Sequence, residues 1–302
     1  MILVTGATGQ FGSKAIEHLL KKRVKPSEIS VLVRDVAKSK GLKKQGLQIK
    51  EGDYTDLSSM VKAFQGVDKL LLVSSNNREA IENRTQHHKN AITAAKESGV
   101  KHVVYTSFVR KPGFQDSAIA DFQNSHLETE IFLKESGMSY TILQNGIYAE
   151  MIPAFLGNKF ADTKTILFPA GTGKASWTLR EELAEAAAYI LISEGHINQT
   201  YTLTNTESVS FKSIAQTISS VLGETIEYKS PDVNDFENIL EQAGIPGMYV
   251  AMFKMWATAL EQQTMDKVDV TLSTFLDRKP TPVSDFLTKN MVASYRSDKV
   301  KQ

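Results

Sequence analysis

An α/β fold, a doubly wound parallel sheet with a smaller, mostly helical C-terminal lobe, is predicted by three features of this sequence. Short apolar runs alternate with helical patterns through the first half. Glycines stand where several of those helices should end. Beyond residue 150 the strand patterns thin out. Repeated strand–helix alternation calls for parallel strands joined by right-handed crossovers.

The chain opens on Ile2, Leu3 and Val4, a run too short for anything but a buried strand. Gly6, Gly9 and Gly12 follow, and then Ala15, Ile16, Leu19 and Leu20 share one helical face. Strand, glycine turn and helix form the opening unit of a Rossmann-type, dinucleotide-binding fold. The first glycine permits the tight turn, the second lets backbone approach a pyrophosphate, and the third lets the helix pack on the strand. Gly6, Ala7, Thr8, Gly9, Gln10, Phe11 and Gly12 are therefore the expected cofactor loop. Its G-x-x-G-x-x-G spacing is one residue longer at the front than the common fingerprint.

Further strands are expected at 29–33, 47–51, 69–73, 102–106 and 140–143, with helices near 57–65, 84–98 and 118–136. Gly66, Gly99 and Gly137 fall at helix C-caps. In the second half, 181–191 reads as an alanine-rich helix, 200–204 as one more strand and 211–222 as an amphipathic helix. The stretch 232–262 reads as helical and gathers Met248, Met252, Phe253, Met255 and Trp256, which suit either a core or a substrate wall. The expected division is an NAD(P)-binding domain over 1–150 and a substrate-side lobe over 151–302, with segments of about 175–205 returning to the Rossmann core. The polar tail from Ser294 is expected to fray.

A chain of 302 residues can bury a sizeable core, and a net charge of +1 gives no footprint for nucleic acid or an anionic membrane. No cysteine is present, which excludes disulfides, thiolate catalysis and cysteine-ligated metals. A strand at residue 2 leaves no room for a signal peptide, and no apolar run reaches a membrane span, so a cytoplasmic location is expected.

Arg34 and Asp35 follow strand two, about 20 residues past the last glycine, where such folds read the ribose. A carboxylate there accepts from a 2′-hydroxyl, whereas an arginine pairs with a 2′-phosphate. Arg34 is nearer the strand end, which favours NADPH, with NADH as the alternative. Asp53 suits the adenine amino group or a turn before a helix capped by Thr55 or Asp56. Ser74, Ser75 and Asn76 suit ribose contacts or loop capping. The G-T-G-K run at 171–174 fails the phosphate-loop pattern, with Phe168 and Ala175 at required positions. His87 with His88, and His126 with Glu130, offer no three-ligand metal set and read as solvated helix faces.

Taken together, the segments around Thr5–Gln10, Gly52–Tyr54, 69–75, 99–102, Tyr105–Ser107, His126–Glu130 and Leu143–Tyr148 resemble the NmrA-like atypical short-chain reductases. The resemblance runs over most of the chain. Short-chain reductases at large commonly place a serine at the end of strand five and a Tyr-x-x-x-Lys pair on the next helix, a pair whose absence the resemblance explains. Here that helix reads His126 to Glu130, and the one Tyr-x-x-x-Lys match, Tyr295 with Lys299, lies in the tail. The resemblance implies that Gln144, Asn145, Gly146 and Tyr148 border the nicotinamide, with Gln144 in place of the family arginine. It assigns Arg180 to the cofactor and Arg34 to its phosphate.

It further implies a flavin-independent, metal-free reductase that passes hydride to quinones or similar conjugated electrophiles. These acceptors need no built-in acid, so proximity does the work; water, Tyr148 or His126 then supplies protons. Reduction of triarylmethane dyes is an alternative acceptor class. A non-catalytic NAD(P) redox sensor acting through protein partners is the alternative of another kind. The expected partner is a small aromatic or quinone-like molecule, and the chain a monomer or homodimer.

Overall fold

In a computed structural model, residues 1–74, 83–157 and 160–290 are described. Seven parallel strands form one sheet: β1 (Ile2–Val4), β2 (Ile29–Val33), β3 (Gln48–Glu51), β4 (Lys69–Leu72), β5 (His102–Phe108), β6 (Ser139–Asn145) and β7 (Gln199–Leu203), in the order β3-β2-β1-β4-β5-β6-β7. Val4 lies between Val31 and Leu71, and Ser107 pairs in register with Gln144. Every residue of β2 and β5 is buried, as expected of parallel strands covered on both faces. β3, at one edge, is half exposed and correspondingly polar.

Successive residues divide between two cores, as the period of two requires. Val4, Val31, Leu71, Val104 and Leu143 face α1 (Gln10–Lys21) and α5 (Arg180–Ile192). Leu3, Leu70, Leu72, Val103 and Ile142 face α2 (Leu57–Phe64), α3 (Arg84–Glu97) and α4 (Ala120–Glu135) through Met60, Phe64, Ile92 and Leu133. Buried Ala184, Ala187 and Ala188 give α5 a small surface toward Ala15 and Leu19 of α1. Gly66, Gly99 and Gly137 close α2, α3 and α4 with φ near +74° (+74°, +73°, +74°), the left-handed geometry that favours glycine at a helix end.

The second lobe has its own core of Phe155, Phe168, Trp177, Phe211, Phe236 and Trp256, continuous with Phe108, Val109 and Ile147 at the C-terminal ends of the sheet. Before α5 the chain is in this lobe; α5 and β7 then belong to the sheet layers, and the helix Phe211–Leu222 is back in the lobe. Two features differ from the sequence reading. The stretch 232–262 is two helices, Val233–Gln242 and Gly247–Glu261, parted by Gly244 at φ +74° and by Pro246 as N-cap. Its apolar cluster also divides: Trp256 is buried, Met252, Phe253 and Met255 pack partly against the core, and Met248 is 51% exposed. No helix among the described residues is long and apolar enough to cross a membrane. The tail from Ser294, with Tyr295 and Lys299, lies outside the described residues, as do Ser75 and Asn76.

Candidate active site

The sheet order reverses beside β1, and ligands of such folds bind in the crevice at that switch point. The glycine loop sits there. Gly6 adopts φ +59°, and its carbonyl accepts from the Gly9 N–H at 2.9 Å, closing the turn. A Cβ on Gly12 would lie 2.4 Å from the Gly6 carbonyl oxygen, so only glycine lets α1 seat this closely on the loop. Gly9 differs: a Cβ there would meet only the Gly6 oxygen, at 3.2 Å, and Gly9 caps α1 with no side chain to satisfy its first N–H groups. Gly6, Thr8, Gly9 and Gln10 are exposed, while Ala7, Phe11 and Gly12 are buried beneath them. Below the loop, Thr5 Oγ1 accepts from the Val73 N–H at 2.8 Å and donates to the Leu71 carbonyl at 3.2 Å, joining the ends of β1 and β4.

Arg34 is exposed directly after β2. Asp35 instead caps the following helical turn, accepting from the Ala37 N–H at 2.9 Å. Asp53 accepts from the backbone and hydroxyl of Thr55, both at 2.8 Å, and Asp56 caps α2 by accepting from the Ser59 N–H. Partial burial acts to raise the Asp53 pKa; the Thr55 bonds and the Arg34 charge outweigh it and hold the carboxyl below its usual range. The Ser74 N–H donates to Thr106 Oγ1 at 2.8 Å, which ties the end of β4 to β5.

Across the crevice, the loop after β6 meets the segment 176–178. Tyr148 bridges Thr178, and the Thr178 N–H donates to the Ile147 carbonyl. A Cβ on Gly146 would come within 2.9 Å of Thr178 Oγ1 and 3.0 Å of the Ser176 carbonyl oxygen. The close approach that this glycine permits is thus made by the protein's own Thr178 side chain and Ser176 backbone. Arg180 gathers the parts: its guanidinium donates to Gln10 Oε1 of the glycine loop and lies 4.4 Å from the Tyr148 ring centroid. Its backbone N–H is accepted by Glu150 at 3.0 Å, a carboxylate at the N-terminus of α5. Burial raises the Tyr148 pKa against the Arg180 charge, so the phenol keeps its proton at neutral pH. Asn145 is 1% exposed and approaches the Tyr148 hydroxyl, yet its carboxamide atoms make no hydrogen bond of ordinary length among the described residues; the same holds for Oγ1 of buried Thr204.

A polar network fills the space behind this loop. Glu130 accepts from Ser107 Oγ, from Arg110 Nη2 at 2.6 Å and from Gln144 Nε2 at 3.3 Å. Tyr105 OH lies 2.7 Å from His126 Nδ1 and 3.3 Å from His88 Nδ1. His88, His126 and Glu130 are at most 2% exposed, and His87 is buried too. The reading of these residues as solvated helix faces is therefore overturned. Burial, then Arg84 and His87, pushes the His88 pKa down to about 3. Burial, then Arg84, His88 and Arg110, holds His126 well below its ordinary value. Both rings are neutral at any pH near 7. Among the described residues no three histidine, aspartate or glutamate side chains are placed to hold a metal ion.

Sequence reasoning missed Glu150, Thr204 and Arg84. Glu150 stands beside a predicted element and Thr204 ends the predicted strand 200–204, neither with a motif of its own. Arg84 is buried at the start of α3, donating to Ser125 Oγ at 3.3 Å and covering the Phe122 ring at 4.7 Å. The G-T-G-K turn is structural, since a Cβ on Gly173 would lie 2.0 Å from the Leu260 carbonyl oxygen.

The model of the NmrA-like family matches residues 1–287. Quinone oxidoreductase 2 of Escherichia coli (strain K12) is 36% identical over 248 residues, 82% of this chain and 83% of its own length. An NAD(P)H azoreductase of Xenophilus azovorans is 29% identical over 260 residues, 86% and 87% of the two chains. The structure of a Citrobacter sp. triphenylmethane reductase complexed with NADP(H) matches with a TM-score of 0.87 at 32% identity, over 96% of this chain and 99% of that one.

Proposed function

Because the chain belongs to the NmrA-like family, we propose that it is an NAD(P)H-dependent reductase, taking hydride from NADPH and passing it to a quinone or a similar conjugated electrophile without flavin or metal. The observation that carries this reading is the Arg180 junction, which ties the glycine loop through Gln10 to the Tyr148 loop on the far side of the crevice. The residues present fit a dinucleotide. A positive-φ glycine turn leads into a helix N-terminus free of side-chain caps, and the buried carboxamide of Asn145 makes no hydrogen bond of ordinary length to the described residues. The relatives that suggest the acceptors are named for quinone, azo and triphenylmethane substrates.

In this reading the backbone of Gly6–Gly12 holds the pyrophosphate and Arg34 takes the 2′-phosphate. Asp53 faces the adenine, and Ser74, with Ser75 and Asn76, serves the ribose. Gln144, Asn145, Gly146 and Arg180 border the nicotinamide end, where Asn145 offers a donor and an acceptor to its amide. When bound, NADPH supplies the hydride. The acceptor gains two electrons and one hydrogen from it, and a proton from water or from a donor side chain completes the quinol. Tyr148, protonated and half-buried, walls the acceptor; His126, neutral, faces it from α4. The helices of the second lobe close this edge against water, which strengthens every polar contact inside.

Purified protein mixed with NADPH and 1,4-benzoquinone, with no flavin added, should oxidise NADPH steadily, followed by its near-ultraviolet absorbance. A triarylmethane dye in place of the quinone tests the second acceptor class. Tight NADPH binding with neither acceptor reduced would defeat the enzyme reading and leave a dinucleotide sensor.

A further inference from the structure

We propose that Tyr105 is a positioning residue that fixes His126 in its Nε2–H tautomer, so that His126 meets the acceptor as a neutral hydrogen-bond donor. The proposal rests on the reading above that the acceptor lies beside His126.

The assignment follows from counting hydrogens along one chain of contacts. Thr129 Oγ1 lies 2.8 Å from the Ser125 carbonyl, one turn earlier on α4. A carbonyl only accepts, so the single hydroxyl hydrogen of Thr129 is committed there. Its 3.1 Å contact with His88 Nδ1 must then run the other way, with His88 donating. Neutral His88 therefore carries its proton on Nδ1, and its Nε2 is the bare atom, buried and without a partner among the described residues. That Nδ1–H also faces the Tyr105 oxygen at 3.3 Å, so the tyrosine cannot donate back to it. Among the described residues Thr129 Oγ1 also lies near the Tyr105 oxygen, but His126 Nδ1, at 2.7 Å, is the closer acceptor and takes the Tyr105 hydrogen. A nitrogen that accepts holds no proton, and neutral His126 holds its proton on Nε2. With the opposite tautomer both rings would donate to the Tyr105 oxygen, and the Tyr105 hydrogen would lose its shortest acceptor.

The surroundings favour this state. Cations face His126 from two elements, Arg84 on α3 and Arg110 after β5, and Glu130 is engaged by Arg110, Ser107 and Gln144. Phe122 lies 5.0 Å and Phe108 6.3 Å from the His126 ring, and both contact Trp256 of the second lobe. His126 thus stands where the C-terminal ends of the strands meet that lobe, in an aromatic setting suited to a flat acceptor. An Nε2–H held toward the acceptor oxygen strengthens its hydrogen bond as hydride arrival makes that oxygen negative. A tyrosine that held the other tautomer would present a lone pair and repel the same oxygen.

Two-bond nitrogen–proton correlation spectra of histidine-labelled protein at neutral pH read the tautomers directly, with His126→Gln and His88→Gln spectra assigning the signals. Nε2–H at His126 and Nδ1–H at His88 are expected. Tyr105→Phe should convert His126 to a tautomer mixture and lower kcat with benzoquinone about three- to tenfold, the worth of one hydrogen bond, with KM for NADPH unchanged. Nδ1–H at His126 in the unaltered protein, or an unmoved tautomer in Tyr105→Phe, overturns the proposal without touching the reductase reading. Full quinone turnover by His126→Gln, with the expected tautomer in the unaltered protein, overturns instead the placement of the acceptor beside His126.

Discussion

Arg180 lies 170 positions from Gln10, yet its side chain bonds that residue and covers the Tyr148 ring. In the proposed reading Arg34 takes the 2′-phosphate; it is exposed directly after β2, while Asp35 caps a turn. A charge-assisted pair with a 2′-phosphate contributes roughly 1.5–3 kcal/mol, about one to two decades of affinity. NADPH should therefore bind more tightly than NADH, and Arg34→Ala should erase most of the difference. Fluorescence titration with both dinucleotides checks this; equal affinities in the unaltered protein would return the ribose-reading role to Asp35. Tyr148 supports a second expectation. Its phenol is protonated and its ring is fixed under Arg180. If it walls the pocket, Tyr148→Phe should slow quinone reduction less than tenfold. A loss of 10²–10⁴, the scale of a missing general acid, would make it the proton donor.

At the scale of the element, two glycines of one loop should fail in different ways. Gly12 is pressed against Gly6, so Gly12→Ala forces α1 off the loop and should cost on the order of 1–3 kcal/mol of stability, read as a lower urea midpoint. Gly9 sits at φ −83°, open to any residue, and a Cβ there would meet only the Gly6 carbonyl oxygen, at 3.2 Å, which a shift of a few tenths of an ångström relieves. Gly9→Val should lower the midpoint less than Gly12→Ala and lose dinucleotide binding; full binding by that folded variant would remove the loop from the phosphate site. The contrast also shows what the sequence made legible. Strands two, four and five announce themselves because both faces are covered and their central positions are runs of apolar residues, with Lys69 and His102 only at the first positions. The glycine spacing announces the loop because helix packing forbids a Cβ at Gly12. The polar network did not announce itself, because α3 and α4 turn His88, His126, Thr129 and Glu130 inward where aliphatic residues would mark a buried face. Gly146 was legible as a close approach but not as to what approaches, since Ser176 and Thr178 are distant in sequence. The break in 232–262 needed only Gly244 and Pro246 to be weighed against an otherwise continuous apolar pattern.

For the molecule as a whole, the buried histidines make stability depend on pH with a definite sign. The folded state holds His88 at about 3 and His126 well below its ordinary 6.5. The unfolded chain binds protons on both near 6.5, so below that pH it gains protons that the folded state refuses. Stability contributed by their neutral burial is present above about 6.5 and is lost as pH falls toward the folded values. At pH 5.5 the loss is about 1.4 kcal/mol for each ring. His18, His102 and His196, also shifted down by burial but less enclosed, add in the same direction. Glu150 and Glu182 oppose it: burial raises both, so acidification through their raised values restores stability that their ionised forms cost. The histidines outnumber them and begin titrating nearer neutrality, so the urea midpoint should fall between pH 7.5 and 5.5. His88→Gln should start from a lower midpoint yet lose less on acidification, by about 1.4 kcal/mol. A midpoint that held or rose over that range in the unaltered protein would mean that these rings accept protons in the folded state, and the neutral network behind the crevice would have to be abandoned.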